Sequence, residues 1–304
     1  MVIFNRQRLA CAIAAAWMSA PACAQDPLEL QPTTVVTAAG HEQNIAQAPA
    51  SISVITREQL EAQSYTSVID AMKNVPGVYV SGGGNQQDIT IRGMGSEYTL
   101  VLVDGRPISA GRQTQTNGTS GGKQQLALPP LAMIERIEVL RGPRSAVYGA
   151  DAIGGVVQIF TRRASGEGLN PRLRLGYGSR NTWERSLGLS GGNESTRFSL
   201  SASADDTRGI NHTDSRVRPD SDHDAYRNNA FSLNLNHRFN ERLEGGFSVL
   251  DQRGESEFDY GSYGAYPYSD FQLSSYSGFL SANINERWTS RVELGHSENR
   301  YIER

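Results

Sequence analysis

Cysteine is almost missing from this chain, with two in 304 residues, Cys11 and Cys23. Both lie near the N-terminus, so the body of the protein carries neither a disulfide framework nor a thiol nucleophile. Long apolar runs are missing too. No segment reaches the roughly 20 residues that a membrane helix needs, and the mean hydropathy is negative. A basic excess is also lacking. The 29 Lys and Arg stand against 32 Asp and Glu, for a formal net charge of -3, which argues against nucleic acid as a partner. The five histidines, His41, His212, His223, His237 and His296, fall in no spacing that suggests a metal site or a catalytic triad, and no catalytic residue is assigned. Glycine and tyrosine are plentiful, at 31 and 12, a composition that points to many turns and many amphipathic strands.

The first 24 residues read as an export signal. Arg6 and Arg8 give a positive start, Leu9 to Met18 is apolar but too short to span a bilayer, and Ala22-Cys23-Ala24 supplies small residues for cleavage. Both cysteines would leave with it. Residues 25–45 follow as a flexible N-terminal segment.

Residues 46–164 have mixed character. Ser51 to Ile55 reads as a strand. Thr56 with Gln59 forms a capping-box signal for a short helix, and Ser67 with Asp70 repeats it. Val68, Ile69, Met72 and Val75 follow at helical spacing, and Pro76-Gly77 stops the helix. Val78 to Val80, Ile89 to Ile91 and Leu100 to Val103 read as strands, and Asp104-Gly105 as a tight turn. The whole is a small α+β domain.

After Arg162-Arg163 the helical signals vanish. Ser165 to Pro171 reads as a linker, and residues 165–304 then alternate between apolar and polar residues in about seven strands. Asn193-Glu194, Asn240-Glu241 and Asn285-Glu286 mark short turns, with long connections at about 206–225 and 255–274 between them. Short turns on one side and long loops on the other are how transmembrane β-barrels are built. The strands are also longer than those of a soluble β-sandwich. A wall able to enclose the preceding domain needs about 22 strands, so the sequence is expected to be the N-terminal part of a longer chain.

Six motifs occur in order: Pro76-Gly77-Val78, Ile91-Arg92-Gly93-Met94-Gly95, Leu102-Val103-Asp104-Gly105, Ile134-Glu135-Arg136-Ile137-Glu138-Val139-Leu140-Arg141-Gly142-Pro143, Tyr148-Gly149, and Gly154-Gly155-Val156-Val157-Gln158-Ile159. Together they resemble the plug of TonB-dependent outer-membrane receptors. The resemblance implies an α+β plug ahead of a transmembrane antiparallel barrel in a Gram-negative outer membrane. It implies active uptake driven through TonB with ExbB and ExbD. Thr33, Thr34, Val35, Val36, Thr37 and Ala38 resemble the TonB box, an extended segment suited to pairing with the edge of another protein's sheet. Arg92, Glu135, Glu138 and Arg141 match residues that, in the family, lock plug to barrel wall.

Cargo is less sharply indicated. Arg106 and Arg112 suit an anionic ferric chelate. Tyr260, Tyr263, Tyr266 and Tyr268, with Phe258 and Phe271, crowd one long connection as a ligand-facing surface would. The plug insertion around Gly111 to Gly118 resembles catecholate siderophore and colicin-type receptors, so a ferric siderophore is the preferred cargo, with colicin or phage as further partners. The run Arg144 to Gly149 is similar to cobalamin receptors, and cobalamin stays open as the alternative. Asp220, Asp222 and Asp224 alternate in the first long connection. They could share a calcium ion or form a solvated acidic loop. An outer-membrane enzyme or adhesin barrel is the remaining alternative.

Overall fold

A computed structural model of the chain describes residues 34–35, 43–45, 51–63, 65–83, 86–108, 128–163, 167–209, 224–257, 268–285 and 288–303. Strands β1 (Thr34–Val35) and β2 (Gln43–Asn44) pair with each other. Strand β3 (Ser51–Ile55) leads into helix α1 (Arg57–Ala62), whose capping box is formed: the Thr56 hydroxyl accepts from the Gln59 N–H, and the Gln59 side chain accepts from the Thr56 N–H. Helix α2 (Val68–Met72) starts where the Ser67 hydroxyl accepts from the Asp70 N–H at 3.1 Å. It ends earlier than its apolar spacing suggests, because Val75 has already turned towards Gly77, whose φ is +78°.

Strands β4 (Val78–Gly83) and β5 (Gln86–Ile91) form a hairpin. The remaining strands of this part, β6 (Thr99–Val103), β7 (Arg106–Pro107), β8 (Ile134–Arg141) and β9 (Gly155–Thr161), join β3 in a five-stranded sheet of order β3-β8-β9-β6-β7. Helix α3 (Ser145–Tyr148) lies between β8 and β9. Strand β6 runs parallel to β9, and the other pairings are antiparallel. Every residue of β9 is buried, as expected for a central strand covered on both faces. Its Val157 and Ile159 pack with Ile137 and Val139 of β8, Val101 and Val103 of β6, and Leu60 and Met72 from the helices.

Seven long strands follow among the described residues: β10 (Gly168–Gly178), β11 (Thr182–Gly192), β12 (Thr196–Thr207), β13 (Tyr226–Arg238), β14 (Leu243–Glu257), β15 (Tyr268–Asn285) and β16 (Trp288–Glu303). They form one antiparallel meander in chain order. Two of the short turns share one device. The Asn193 side chain accepts from the N–H groups of Ser195 and Thr196, and Asn240 accepts likewise from Arg242 and Leu243. Asparagine side chains commonly stand in for backbone acceptors in turns.

The strands extend beyond the ends that hydropathy suggests. The expected linker gives way to β10 from Gly168, with Pro171 tolerated because β10 is an edge of the described sheet. The second long connection shrinks, since β14 runs to Glu257 and β15 begins at Tyr268. The added strand residues carry Glu255, Glu257, Asp270 and Gln272 on the outward face, so alternation of apolar and polar residues fades where the strand itself continues.

Register assigns the two faces. Outward lie Leu173, Leu187, Phe231, Phe247, Val292 and Leu294, all exposed, Leu294 at 77%. Inward lie Ser199, Ser201, Ser232 and Ser275, all buried. A water-soluble protein does the reverse. Strands of 11 to 18 residues meet or exceed the roughly 9–11 that a tilted strand needs to cross a bilayer, so an outward apolar belt facing lipid accounts for the pattern. No helix among the described residues is long and apolar enough to cross a membrane.

The second glycine of the Gly154-Gly155 pair is sterically demanded. A Cβ there would lie 2.6 Å from the Leu140 carbonyl oxygen and 2.8 Å from Ile91 Cδ1. Gly155→Ala is predicted to destabilise the fold by about 1–3 kcal/mol, the usual cost of overpacking, seen as a lower denaturation midpoint. An unchanged midpoint would contradict this packing.

Candidate functional site

The inner face of the wall is pressed against the α+β domain, and the seam between them is the candidate site. Ala230, Leu250, Phe271 and Leu273 of the wall belong to the same apolar core as Met133, Ile134 and Ile159. Polar links flank this contact. The Asn234 side-chain amide donates to the Thr161 hydroxyl at 3.3 Å and to the Arg162 carbonyl at 3.0 Å. The Gln252 amide donates to the Leu128 carbonyl at 2.9 Å. Arg106 pairs with Glu293 of β16 at 2.7 Å.

Asp104 shows how the local fold feeds the seam. It occupies a left-handed turn with φ +47°, followed by Gly105 at +81°, the Asp-Gly chemistry that tight hairpins favour. Its carboxylate accepts from the Thr161 hydroxyl at 2.6 Å and from the Thr161 N–H at 3.0 Å. The hairpin tip is thereby tied to the end of β9, and through Thr161 to Asn234.

A charged knot lies at the same end of β9. Arg57 donates to the carbonyls of Leu131 and Ile134, at 2.8 and 2.9 Å, and pairs with Glu61 at 2.6 Å. Buried Arg162 reaches the same carboxylate oxygen at 2.9 Å. Burial works against the Glu61 charge, but hydrogen bonds and charge from Arg57 and Arg162 outweigh it and hold the carboxyl below its usual range.

The residues singled out from sequence fall in several places. Thr34 and Val35 of the candidate box are paired with Asn44 and Gln43, and Val35 is fully buried. Within the segment expected to be extended and flexible, these two positions are paired; Thr33, Val36, Thr37 and Ala38 lie outside the described residues. The four charged residues are spread over both faces of β8 and the turn after β5. Glu138 is buried against Arg136 at 2.9 Å, and Arg136 also stacks over Phe160. Arg141, three residues along β8 and so on the opposite face, donates to the Pro76 carbonyl and the Ser53 hydroxyl. Exposed Arg92 lies over Gly142, and Glu135 is half-buried on β8. These described contacts stay within the α+β domain, whereas the polar links to the wall described above run through Arg106, Leu128, Thr161 and Arg162.

Arg106, expected to face a ligand, is engaged with the wall. Arg112, Tyr260, Tyr263 and Tyr266 lie outside the described residues, as does Phe258. Tyr268 is half-buried at the start of β15. Phe271 is corrected from a loop residue to a buried wall residue stacked on Tyr226, with ring centroids 5.8 Å apart. Asp220 and Asp222 also lie outside the described residues, while Asp224 is buried. Groups of three or more metal-ligating side chains are absent among the described residues. Sequence reasoning did not single out Asn234, Gln252, Glu293, Glu61 or Arg162. The usable signal was size and parity, since Asn234 and Gln252 are long amides on a face otherwise rich in serine.

Residues 44–156 match the TonB-dependent receptor plug domain family. The chain is plug and barrel wall of a TonB-dependent receptor. It is 59% identical over 145 residues to the iron-regulated outer membrane virulence protein of Vibrio cholerae, covering 48% of this chain and 22% of that one. It is 33% identical over 274 residues to the vitamin B12 transporter BtuB of Vibrio vulnificus, covering 88% of this chain and 42% of that one. The ferripyoverdine receptor of Pseudomonas aeruginosa shares the fold, with a TM-score of 0.72 at 20% identity over 90% of this chain and 37% of that one. The chain therefore spans well under half the length of these relatives. In this TonB-dependent receptor the five-stranded sheet and its helices are the plug, and β10 to β16 are outer-membrane barrel strands.

The charged knot gives this receptor a defined pH response. Glu61 has a lowered folded pKa, so its stabilising contribution is fully present above the unfolded value near 4.5 and is lost as pH falls through the folded value. Glu61→Gln is predicted to flatten the acid dependence of plug stability below that pH, followed by denaturation at a series of pH values. Identical acid curves for parent and variant would refute the assignment.

Proposed function

We propose that the complete receptor carries out TonB-dependent uptake of a ferric siderophore across the outer membrane. The observation that supports this reading most is the folded plug seated on the inner face of the wall. In the complete receptor a wall closed around this plug would leave no open path to diffusion, so passage would require the plug to move. The outer membrane has no nucleotide supply, so the work arrives by contact, and residues 33–38 are its proposed handle. TonB, energised through ExbB and ExbD, would pair with this segment, as one edge strand pairs with another. The protein supplies no chemical step. Cargo is proposed to bind on the side of the long connections, where Tyr268 begins a strand and Tyr260, Tyr263, Tyr266 and Arg112 lie nearby in sequence.

Iron is preferred over cobalamin because 145 residues are 59% identical to an iron-regulated protein. Cobalamin remains the second reading because the longer match, 33% over 274 residues, is to a vitamin B12 transporter. A shared cation at Asp220, Asp222 and Asp224 is proposed with that second reading.

Two experiments bear on this. The full-length gene should rescue growth of a receptor-deficient strain on a ferric catecholate chelate; rescue on cobalamin alone would overturn the preferred cargo. Val36→Pro should abolish capture of the receptor by the TonB C-terminal domain, because proline removes a ladder donor. Undiminished capture would sink the proposed handle.

A further inference from the structure

Arg106 sits in a socket built by the wall. Its side chain is only 15% exposed and its guanidinium meets Glu293 at 2.7 Å. Beneath it lies Gly295, where a Cβ would stand 2.7 Å from Arg106 Nε and 3.4 Å from its Cζ. The wall therefore has an unfilled position where the guanidinium rests. Arg291 shares the other oxygen of Glu293 at 3.2 Å and itself lies over the Phe279 ring, with Cζ 3.8 Å from the centroid. Glu293 is thus positioned from one side by a wall residue and occupied from the other by a plug residue.

Beside the socket a polar cavity of about 210 Å³ lies between hairpin β6–β7 and wall strands β12 to β16, lined among others by Asp104, Arg163, Arg197, Glu244 and Ser248. It continues the side of the wall where the short turns lie, since Arg197 and Glu244 are each the second residue of their strand. Apolar packing closes the seam at Leu250 and Phe271, whereas this cavity is lined mainly by charged and polar side chains, with Phe247 and Phe279 on the wall side. An ion pair is the contact best suited to such a place, because water can replace each partner when the seam parts.

We propose that Arg106, seated on Gly295 and paired with Glu293, is a latch that holds this polar seam shut. The seam opens where the latch parts, and β6–β7 is the plug element that leaves the wall there. This rests on the reading of a plug that rearranges. The test, however, uses passive permeability, which requires neither cargo nor TonB.

The full-length receptor is reconstituted in liposomes and efflux of a trapped hydrophilic dye is measured. Arg106→Ala and Gly295→Ala should each raise efflux about tenfold, a factor that corresponds to roughly 1.4 kcal/mol. Gly295→Ala leaves both charges in place and only wedges the guanidinium from its seat, which separates the latch from a general loss of charge. In Arg106→Cys with Glu293→Cys, efflux should be raised with free thiols and return to the parent level once a short bis-maleimide bridges them. Residues 24–304 hold no cysteine, and any in the rest of the full-length receptor are first replaced by serine. Parent-level efflux in Arg106→Ala and Gly295→Ala, or unchanged efflux on bridging, would overturn the latch. Failure of the parent to take up any ferric chelate, with this efflux pattern intact, would instead strike the proposed function and leave the latch standing.

Discussion

An extended strand points successive side chains to opposite faces, and the architecture depends on that period of two. Once β10 to β16 are hydrogen-bonded side by side, every residue must belong to one of two environments. Leu294 and Val292 are outward and exposed, and between them Glu293 is inward and meets the plug. A one-residue slip in register would put leucine against the plug and carboxylate into lipid, so the wall's register and its function are the same constraint. Pairing also answers the bilayer's other demand, that backbone N–H and C=O groups be satisfied within the protein.

What the inner face does with its half of the residues explains how a folded domain can sit there. Serine predominates, as at Ser199, Ser201, Ser232 and Ser275, and these small side chains leave room for the plug. The exceptions are the contacts. Ala230, Leu250, Phe271 and Leu273 extend the plug's own core into the wall, while Asn234, Gln252 and Glu293 reach plug atoms by hydrogen bond or ion pair. A typical intramolecular hydrogen bond contributes only about 0.5–1.5 kcal/mol net. A plug held partly by such bonds is seated firmly but can be released stepwise, which suits a domain that has to move and later return.

The wall strands were legible because alternation is written in the chain itself, and Asn193 and Asn240 marked turns for a reason that holds in the structure: each side chain accepts two backbone donors. The cap of α1 was legible for the same reason, since Thr56 and Gln59 are three residues apart. Partnership across the seam was not. Arg106 and Glu293 are 187 residues apart, and Asn234 lies 73 residues from Thr161. Periodicity assigns a residue to a face, but it does not say what stands opposite. Arg106 therefore read as an exposed cation near a loop, when the wall had reserved Gly295 and Glu293 for it. Strand ends were misread at Glu257 and Tyr268 because polar outward residues there erase the hydropathy contrast.

The central claim is that plug and wall are packed as one seam yet open separately. Amide hydrogen exchange on the full-length receptor tests it most directly. The account predicts that β6, β8 and β9 of the plug exchange together through an opening that leaves β11 to β15 protected. Exchange of plug and wall amides in a single transition, at one common rate, would contradict it.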